Sequence, residues 1–273
     1  MVSKTWFITG AARGFGQEWT VAALQRGDRV AATARNASRL DELKARHPES
    51  LLPIELDVTN RCAVFDAVRR AHEHFGGLDI VVNNAGYGQY GFVEEVTEQQ
   101  AREQMDVNVF GALWVTQAVL PILRAQRSGH LLQVSSGAGV TAAPGVGLYS
   151  ASKHALEAFS EALAAEVEPF GIRVTLVEPG LYSTEFKDSV IHADPLPAYD
   201  NVRREATRMV AEFLGEPGDP TATRDAILRI VDAEAPPLRV IFGPAILRLV
   251  RSAYEQRLQI WEEWEPVTVQ AQG

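Results

Sequence analysis

The residues in this chain best suited to chemistry are Tyr149 and Lys153, four positions apart in Tyr149-Ser150-Ala151-Ser152-Lys153. In a helix that spacing puts the phenol and the ammonium on one face. A tyrosine hydroxyl needs help to act as a base near neutral pH, because its reference pKa is about 10. An ammonium about 4 Å away contributes roughly 4 kcal/mol at an effective dielectric of 20. At about 1.4 kcal/mol per pKa unit, one well-placed lysine lowers the phenol by roughly three units. Upstream, Gln133-Val134-Ser135-Ser136-Gly137 offers hydroxyls at the end of an apolar, strand-like run. Tyr-x-x-x-Lys alone also describes an ordinary half-exposed helix face, so the pair gains meaning only from what positions it.

The chief positioning stretch is Thr9-Gly10-Ala11-Ala12-Arg13-Gly14-Phe15-Gly16. It follows the strand-like Thr5-Trp6-Phe7-Ile8 and precedes a helical pattern over 17–24. Three glycines between strand and helix make a cradle for a cofactor phosphate. Gly10 allows the turn, Gly14 lets the backbone approach a pyrophosphate, and Gly16 lets helix and strand pack closely. The helix start adds free N–H groups and partial positive charge.

Strand-like runs at 5–9, 29–34, 51–56, 78–82, 130–135, 173–177 and 239–242 alternate with amphipathic segments such as 63–74, 101–123 and 152–167. That alternation predicts a parallel sheet with helices on both faces and right-handed crossovers. The length of 273 residues suits a single domain over 1–273. Within it, 185–220 carries Pro195, Pro197, Pro217 and Pro220 and reads as an irregular insertion lying over the sheet to cover substrate.

The second strand ends Thr33-Ala34-Arg35. A dinucleotide fold that takes NAD places a carboxylate near this point for the adenosine ribose. Here the acid is missing. Arg35, with Arg13 in the glycine loop, can pair with a 2′-phosphate instead, so NADP(H) is expected, with NAD(H) the second choice. The alternative is two solvated surface charges. Leu56-Asp57-Val58 closes the third strand; Asp57 faces the adenine edge or begins the next helix, a role for which Thr59 and Asn60 compete. Small residues and amides in Asn83-Asn84-Ala85-Gly86, just past a strand, suit a cofactor lying across the strand ends.

Taken in order, these stretches resemble the short-chain dehydrogenase/reductase family, from Thr5 to about Thr184. The matching motifs are Thr9 to Gly16, Asn83-Asn84-Ala85-Gly86, Asn108, Ser136, Tyr149 with Lys153, and Pro179-Gly180 with Thr184. The resemblance implies a doubly wound, mostly seven-stranded parallel sheet (a Rossmann fold), a nicotinamide cofactor and an Asn-Ser-Tyr-Lys tetrad. Ser136 is the matching serine because thirteen positions separate it from Tyr149, the family's usual spacing. It further implies Tyr149 as acid in reduction and base in oxidation, and Ser136 as donor to the substrate oxygen. Lys153 would hold the nicotinamide ribose and lower the phenol pKa, and Asn108 would order a water linking Lys153 to solvent. Phe15, Val58, Ala85, Gly86, Pro179 and Gly180 would lie along the cofactor, with Thr184 on its carboxamide or phosphates.

The implied partner is a small carbonyl or alcohol substrate, its pocket walled by Tyr87, Tyr90, Phe92, Leu148, Tyr182 and the segment after Phe186. Trp261 to Pro266 would close that pocket or cover a subunit interface. Family members are commonly dimers or tetramers, so a homodimer or homotetramer is expected. A net charge of −9 argues against nucleic acid or anionic membrane as partners. No apolar run reads as bilayer-spanning, and a lone Cys62 suits a reducing compartment, so the cytoplasm is expected. His72 and His74, two apart on a helix, diverge and make no metal site. Two other functions compete with hydride transfer: a cofactor-binding regulator without chemistry, and an epimerase or dehydratase of the family's extended relatives. The complete tetrad argues against the first, and the glycine spacing and modest length against the second.

Overall fold

The seven strands of the main sheet all run parallel, in the order β3-β2-β1-β4-β6-β7-β9. A computed structural model describes residues 3–273, apart from the side chains of Ala211 and Leu214. In chain order the first half comprises β1 (Thr5–Ile8), α1 (Gly14–Gln25), β2 (Arg29–Ala34), α2 (Asp41–Arg46), β3 (Leu51–Glu55), α3 (Arg61–Phe75), β4 (Ile80–Asn83), β5 (Gln89–Tyr90), α4 (Glu98–Met105) and α5 (Ala112–Gln126). The second half comprises β6 (Gly129–Val134), α6 (Gly147–Val167), β7 (Ile172–Pro179), β8 (Ile191–His192), α7 (Asp200–Leu214), α8 (Thr223–Val231), β9 (Arg239–Phe242), α9 (Pro244–Glu263) and α10 (Glu265–Gln270). The expected doubly wound sheet is therefore what the chain builds.

Strand alternation divides the core. Trp6, Ile8, Val30 and Ala32 pack on one face with Trp19, Leu24, Ile227 and Ile230 of α1 and α8. Phe7, Ala31, Val81 and Leu131 face the other way, onto Val64, Val68, Val115, Val119 and Leu163 of α3, α5 and α6. Each face is almost wholly apolar, as a parallel sheet covered on both sides requires. The order of strands reverses between β1 and β4, and a doubly wound sheet opens a ligand crevice beyond the strand ends at such a point.

Two local expectations are corrected. The 185–220 segment is less irregular than its prolines suggest, because α7 occupies 200–214 and β8 pairs in parallel with β5. Its pattern was masked by prolines on either side rather than within. The continuous helical stretch Glu98–Gln126 is also long and apolar enough by composition to cross a membrane, although half of its most apolar window is buried inside the fold. Its apolar side chains are spent on the sheet, where α5 packs on α3.

On β6, His130 is buried, and its Nε2 lies 2.9 Å from Thr175 Oγ1. That hydroxyl donates its own proton to the Pro237 carbonyl, so the imidazole is the donor between the two. Burial, with Lys4 and Arg173 adding to it, pushes the imidazole down to about 4. The unfolded histidine titrates near 6.5, so between pH 6.5 and 4 the unfolded chain binds more protons. The native state loses stability as pH falls through that window and keeps it above. We expect His130→Leu to remove about 2 kcal/mol of the stability lost between pH 7 and pH 5. Denaturant midpoints of both proteins at the two pH values check this; equal pH dependence would show that His130 contributes nothing.

Candidate active site

At the crevice, one hydroxyl and one amide tie the β1 and β4 loops together. Thr9 Oγ1 accepts from the N–H groups of Asn84 and Ala85, each at 3.0 Å, and donates to the Val82 carbonyl. Asn84 Nδ2 donates to the carbonyls of Thr9 and Gly10 at 2.9 and 3.1 Å. The glycines follow from this closeness. Gly10 and Gly14 have φ of 64° and 53°, the left-handed region. A Cβ on Gly16 would lie 2.4 Å from the Gly10 carbonyl oxygen and 2.5 Å from Asn84 Nδ2.

Four tetrad residues come from three places and converge. A π-helical turn at Asp106–Gly111 interrupts the run from α4 to α5 and carries Asn108. Its amide is held by protein on both sides: Oδ1 accepts from Tyr87 N, and Nδ2 donates to Tyr87 O and Ser152 Oγ. Gly86 adjoins it, since a Cβ there would meet Asn108 Oδ1 at 3.1 Å and Lys153 Nζ at 3.6 Å. Tyr149 and Lys153 stand on the first turns of α6, both buried. Ser136, past β6, accepts from Ala138 N through its Oγ and lies close enough to the phenol to act on its charge.

The expected electrostatics of the pair are corrected. Burial pushes the Tyr149 phenol up from its ordinary value; the Ser136 hydroxyl offsets part of this and Tyr90 adds to the rise. Burial also pushes Lys153 down to about 8. The ammonium sits 5.9 Å from the ring centroid and donates to the Val134 carbonyl at 2.8 Å. Removing both groups from water disfavours both charged forms, and here that outweighs their mutual attraction.

The other expected cofactor residues lie around the crevice in differing postures. Arg13 is the residue before α1, and Arg35 is exposed just past β2; neither guanidinium is hydrogen-bonded or ion-paired among the described residues. Phe15 points its ring away from the loop, stacked on Trp19 at 5.5 Å and edge-on to Tyr182 at 5.0 Å, which leaves its backbone for a ligand. Asp57 accepts from Thr59 N and Oγ1, while Asn60 caps α3 through Ala63 N; the helix-start reading of Asp57 is thereby removed. Val58 packs under the π-helical turn, within 2.7 Å of where a Gly111 Cβ would sit. Pro179 ends β7, Gly180 N donates to the Phe242 carbonyl, and Thr184 lies over Gly14.

Several contributors are not visible as motifs. Glu185 Oε2 accepts from Gly14 N at 3.2 Å, placing a carboxylate at the anion-binding loop. Arg239 of β9 pairs with Glu157 and Glu161 on α6 and Glu178 on β7, and burial pushes Glu178 up to about 7. This cluster fixes the helix of Tyr149 against the strand leading to Pro179. Glu95 accepts from Arg203, Phe92 N and Leu196 N; mainly through Arg203, its carboxyl is held at about 2. Phe92 stacks on Tyr199 at 4.9 Å, so 196–203 is anchored beside the crevice.

The proposed pocket walls are also sorted. Tyr90 and Phe186 lie 6.2 and 6.0 Å from the Tyr149 ring. Phe92 and Tyr182 are committed to Tyr199 and Phe15, and the Tyr87 hydroxyl is buried without a partner, with Glu103 and Asp106 acting on it. Trp261 and Trp264 are each 61% exposed and close no pocket.

The crowding at Gly16 has a direct consequence. Gly16→Ala drives a methyl into backbone and amide, so the loop must open. We expect nicotinamide cofactor affinity, read by protein-fluorescence quenching, to fall at least tenfold while the far-ultraviolet spectrum stays native. Unchanged affinity would show that the loop does not hold the phosphates.

The short chain dehydrogenase family profile matches residues 4–194. The oxidoreductase BOA17 of Botryotinia fuckeliana is 37% identical over 98% of this chain and 99% of its own length. A short-chain dehydrogenase from Streptomyces avermitilis superposes with a TM-score of 0.91 at 36% identity, covering 98% of both chains. Two further solved relatives carry cofactor. One from Burkholderia phymatum is in complex with NAD (TM-score 0.81, 25% identity, 94% of this chain and 95% of its own). One from Burkholderia cenocepacia is in complex with NADP (TM-score 0.75, 27% identity, 96% and 97%). With that profile over most of its length and such a relative over nearly all of it, the chain belongs to the short-chain dehydrogenase family of oxidoreductases.

Proposed function

We propose that this protein interconverts a carbonyl and a secondary alcohol by hydride transfer with NADP(H), with Tyr149 as the acid/base. The observation that carries the reading is the meeting at Gly86 of the two halves of the site. Two residues past Asn84, the amide of the brace, a Cβ on Gly86 would lie 3.1 Å from Asn108 Oδ1 and 3.6 Å from Lys153 Nζ, so the β4 loop brings the glycine-loop half against the Asn108–Lys153 half. The crowded Gly16 and the left-handed Gly10 and Gly14 form a cradle that suits a dinucleotide pyrophosphate.

A bound nicotinamide supplies or accepts the hydride. Tyr149 Oη gives its proton to the substrate oxygen in reduction and takes it back in oxidation. Burial keeps the phenol protonated, which suits the acid role. Ser136 Oγ hydrogen-bonds the same oxygen, and Lys153 holds the ribose and supplies positive charge as the proton leaves. Asn108 holds the Tyr87 backbone and Ser152 and orders the water that returns protons to Lys153. Asp57 and Val58 flank the adenine, and Thr184 reaches the carboxamide or phosphates. The 185–220 segment covers the substrate.

The preference for NADP rests on Ala34, where an acid is missing, and on the uncommitted guanidinium groups of Arg35 and Arg13. Charge-assisted hydrogen bonds contribute about 1.5–3 kcal/mol each, so one arginine contact implies roughly 10- to 150-fold preference over NAD. The exposed Phe110, stacked on Trp114 at 5.9 Å beneath Arg61, supports a homodimer or homotetramer through this helical face. The exposed, unpaired Cys62 fits a cytoplasmic setting.

Tyr149→Phe keeps the ring and removes the proton, so steady-state turnover should fall by roughly 10²–10⁴ with cofactor affinity nearly unchanged. Normal turnover in that variant would refute the Tyr149 assignment, whereas a wild-type protein that binds cofactor but reduces no ketone would favour a silent cofactor-binding regulator. The ratio of kcat/KM for NADPH and NADH should favour NADPH in the wild type and shift toward NADH in Ala34→Asp/Arg35→Leu. Because Lys153 titrates at about 8, kcat/KM for reduction should hold below that pH and decline above it as the ammonium is lost.

A further inference from the structure

On β5 the Gln89 backbone N–H donates to Gln104 Oε1 of α4 at 2.6 Å, and the Tyr90 ring lies against Tyr149. The Tyr90 ring meets Tyr149 edge-on, with centroids 6.2 Å apart and planes at 61°. His192, paired with Tyr90 across the two-stranded sheet, sets its ring edge-on to Tyr90 at 5.7 Å and 86° and so fixes that ring's orientation. Phe186 also reaches Tyr149, its ring centroid 6.0 Å away and its plane tilted by 54°. Beneath both lies Gly88, where a Cβ would meet Tyr90 Cε1 at 2.8 Å and Phe186 Cζ at 3.3 Å.

The remaining side is open and apolar. Nothing lies within 4 Å of a Cβ on Gly145, and one on Gly147 would meet only Val93 Cγ2, at 3.3 Å. Val93 is 73% exposed and Ile191, on β8, 41%. Arg203 is held by Glu95 and lies over Phe92, so it is not offered to an anionic group on a substrate.

We propose, resting on the carbonyl/alcohol reading above, that the substrate carries a planar apolar ring beside its reacting carbon, gripped by Tyr90 and closed in by Phe186. Ring quadrupoles favour edge-to-face and offset contacts, and Tyr90, locked by His192, presents one at no further ordering cost. A puckered ring of equal bulk gains the burial without that geometry. Tyr90 is thus a specificity-determining residue, and Phe186 the second wall.

The test compares 2-acetylnaphthalene with its perhydro analogue, 2-acetyldecalin, on the full chain with NADP⁺ present. Binding is read by ligand-observed NMR titration and reduction by kcat/KM with NADPH. The naphthyl ketone should bind more tightly. Tyr90→Leu should lower the naphthyl-to-decalyl binding ratio about 3- to 10-fold, and Tyr90→Phe should preserve it, since the ring alone carries the preference. Phe186→Leu should lower the ratio in the same sense, and serves if the Tyr90→Leu protein does not fold. Equal binding of the two ketones, binding of neither, or a ratio that survives loss of either ring would overturn the proposal. Preferential binding of the naphthyl ketone with no reduction of any ketone would leave the ring site standing and remove the hydride-transfer reading. Turnover without ring preference would do the reverse.

Discussion

A single threonine hydroxyl and a single asparagine amide hold the crevice in shape. Where the order of strands reverses, the β1 and β4 loops part, and their backbone N–H and C=O groups lose strand partners. Thr9 and Asn84 satisfy these groups with five hydrogen bonds across the gap. Buried polar groups left unpaired cost about 1–3 kcal/mol each, so the brace is obligatory rather than ornamental. It draws the two loops so close that Gly10 and Gly16 admit no side chain. The proposed phosphate cradle at the α1 start depends on that approach, and the same β4 loop carries Gly86 on to Asn108 and Lys153.

Around Tyr149 and Lys153, burial dominates the electrostatics. Tyr149, Lys153 and Glu178 all shift in the direction that favours their neutral forms. A low-dielectric site raises the worth of each contact that a ligand later makes, because there is little water to screen it. The Arg239 cluster keeps this polarity in place. Its guanidinium ties β9 to α6 and β7, so the helix of Tyr149 and the strand ending at Pro179 are held in one framework.

The segment between Thr184 and Gly218 is fastened at its ends and braced along its length. Ser183 N donates to the Gly218 carbonyl and Gly218 N to that of Leu181, on either side of Tyr182; β8 adds to β5, and Glu95 gathers Leu196 and Arg203. Such fastening makes the aromatic surroundings of Tyr149 a preformed wall. Glu185, one residue past Thr184, meets the Gly14 amide and so links this segment to the glycine loop.

How much of this was legible beforehand depended on range. The glycine loop, the Tyr149–Lys153 spacing, the strand runs and the missing acid at Ala34 are local patterns, dictated by backbone sterics, helical periodicity and strand alternation. They were sufficient for the sheet, the crevice and the residues around it. The π-helical turn under Asn108, the partners of Arg239 and Glu95, and the sorting of Tyr90 and Phe186 from Phe92 and Tyr182 join residues up to about a hundred positions apart. No periodicity encodes those pairings. The sign of the tyrosine's shift was out of reach for the same reason. Spacing alone put an ammonium beside the phenol, but desolvation is set by everything packed around both groups, and only the folded chain determines that.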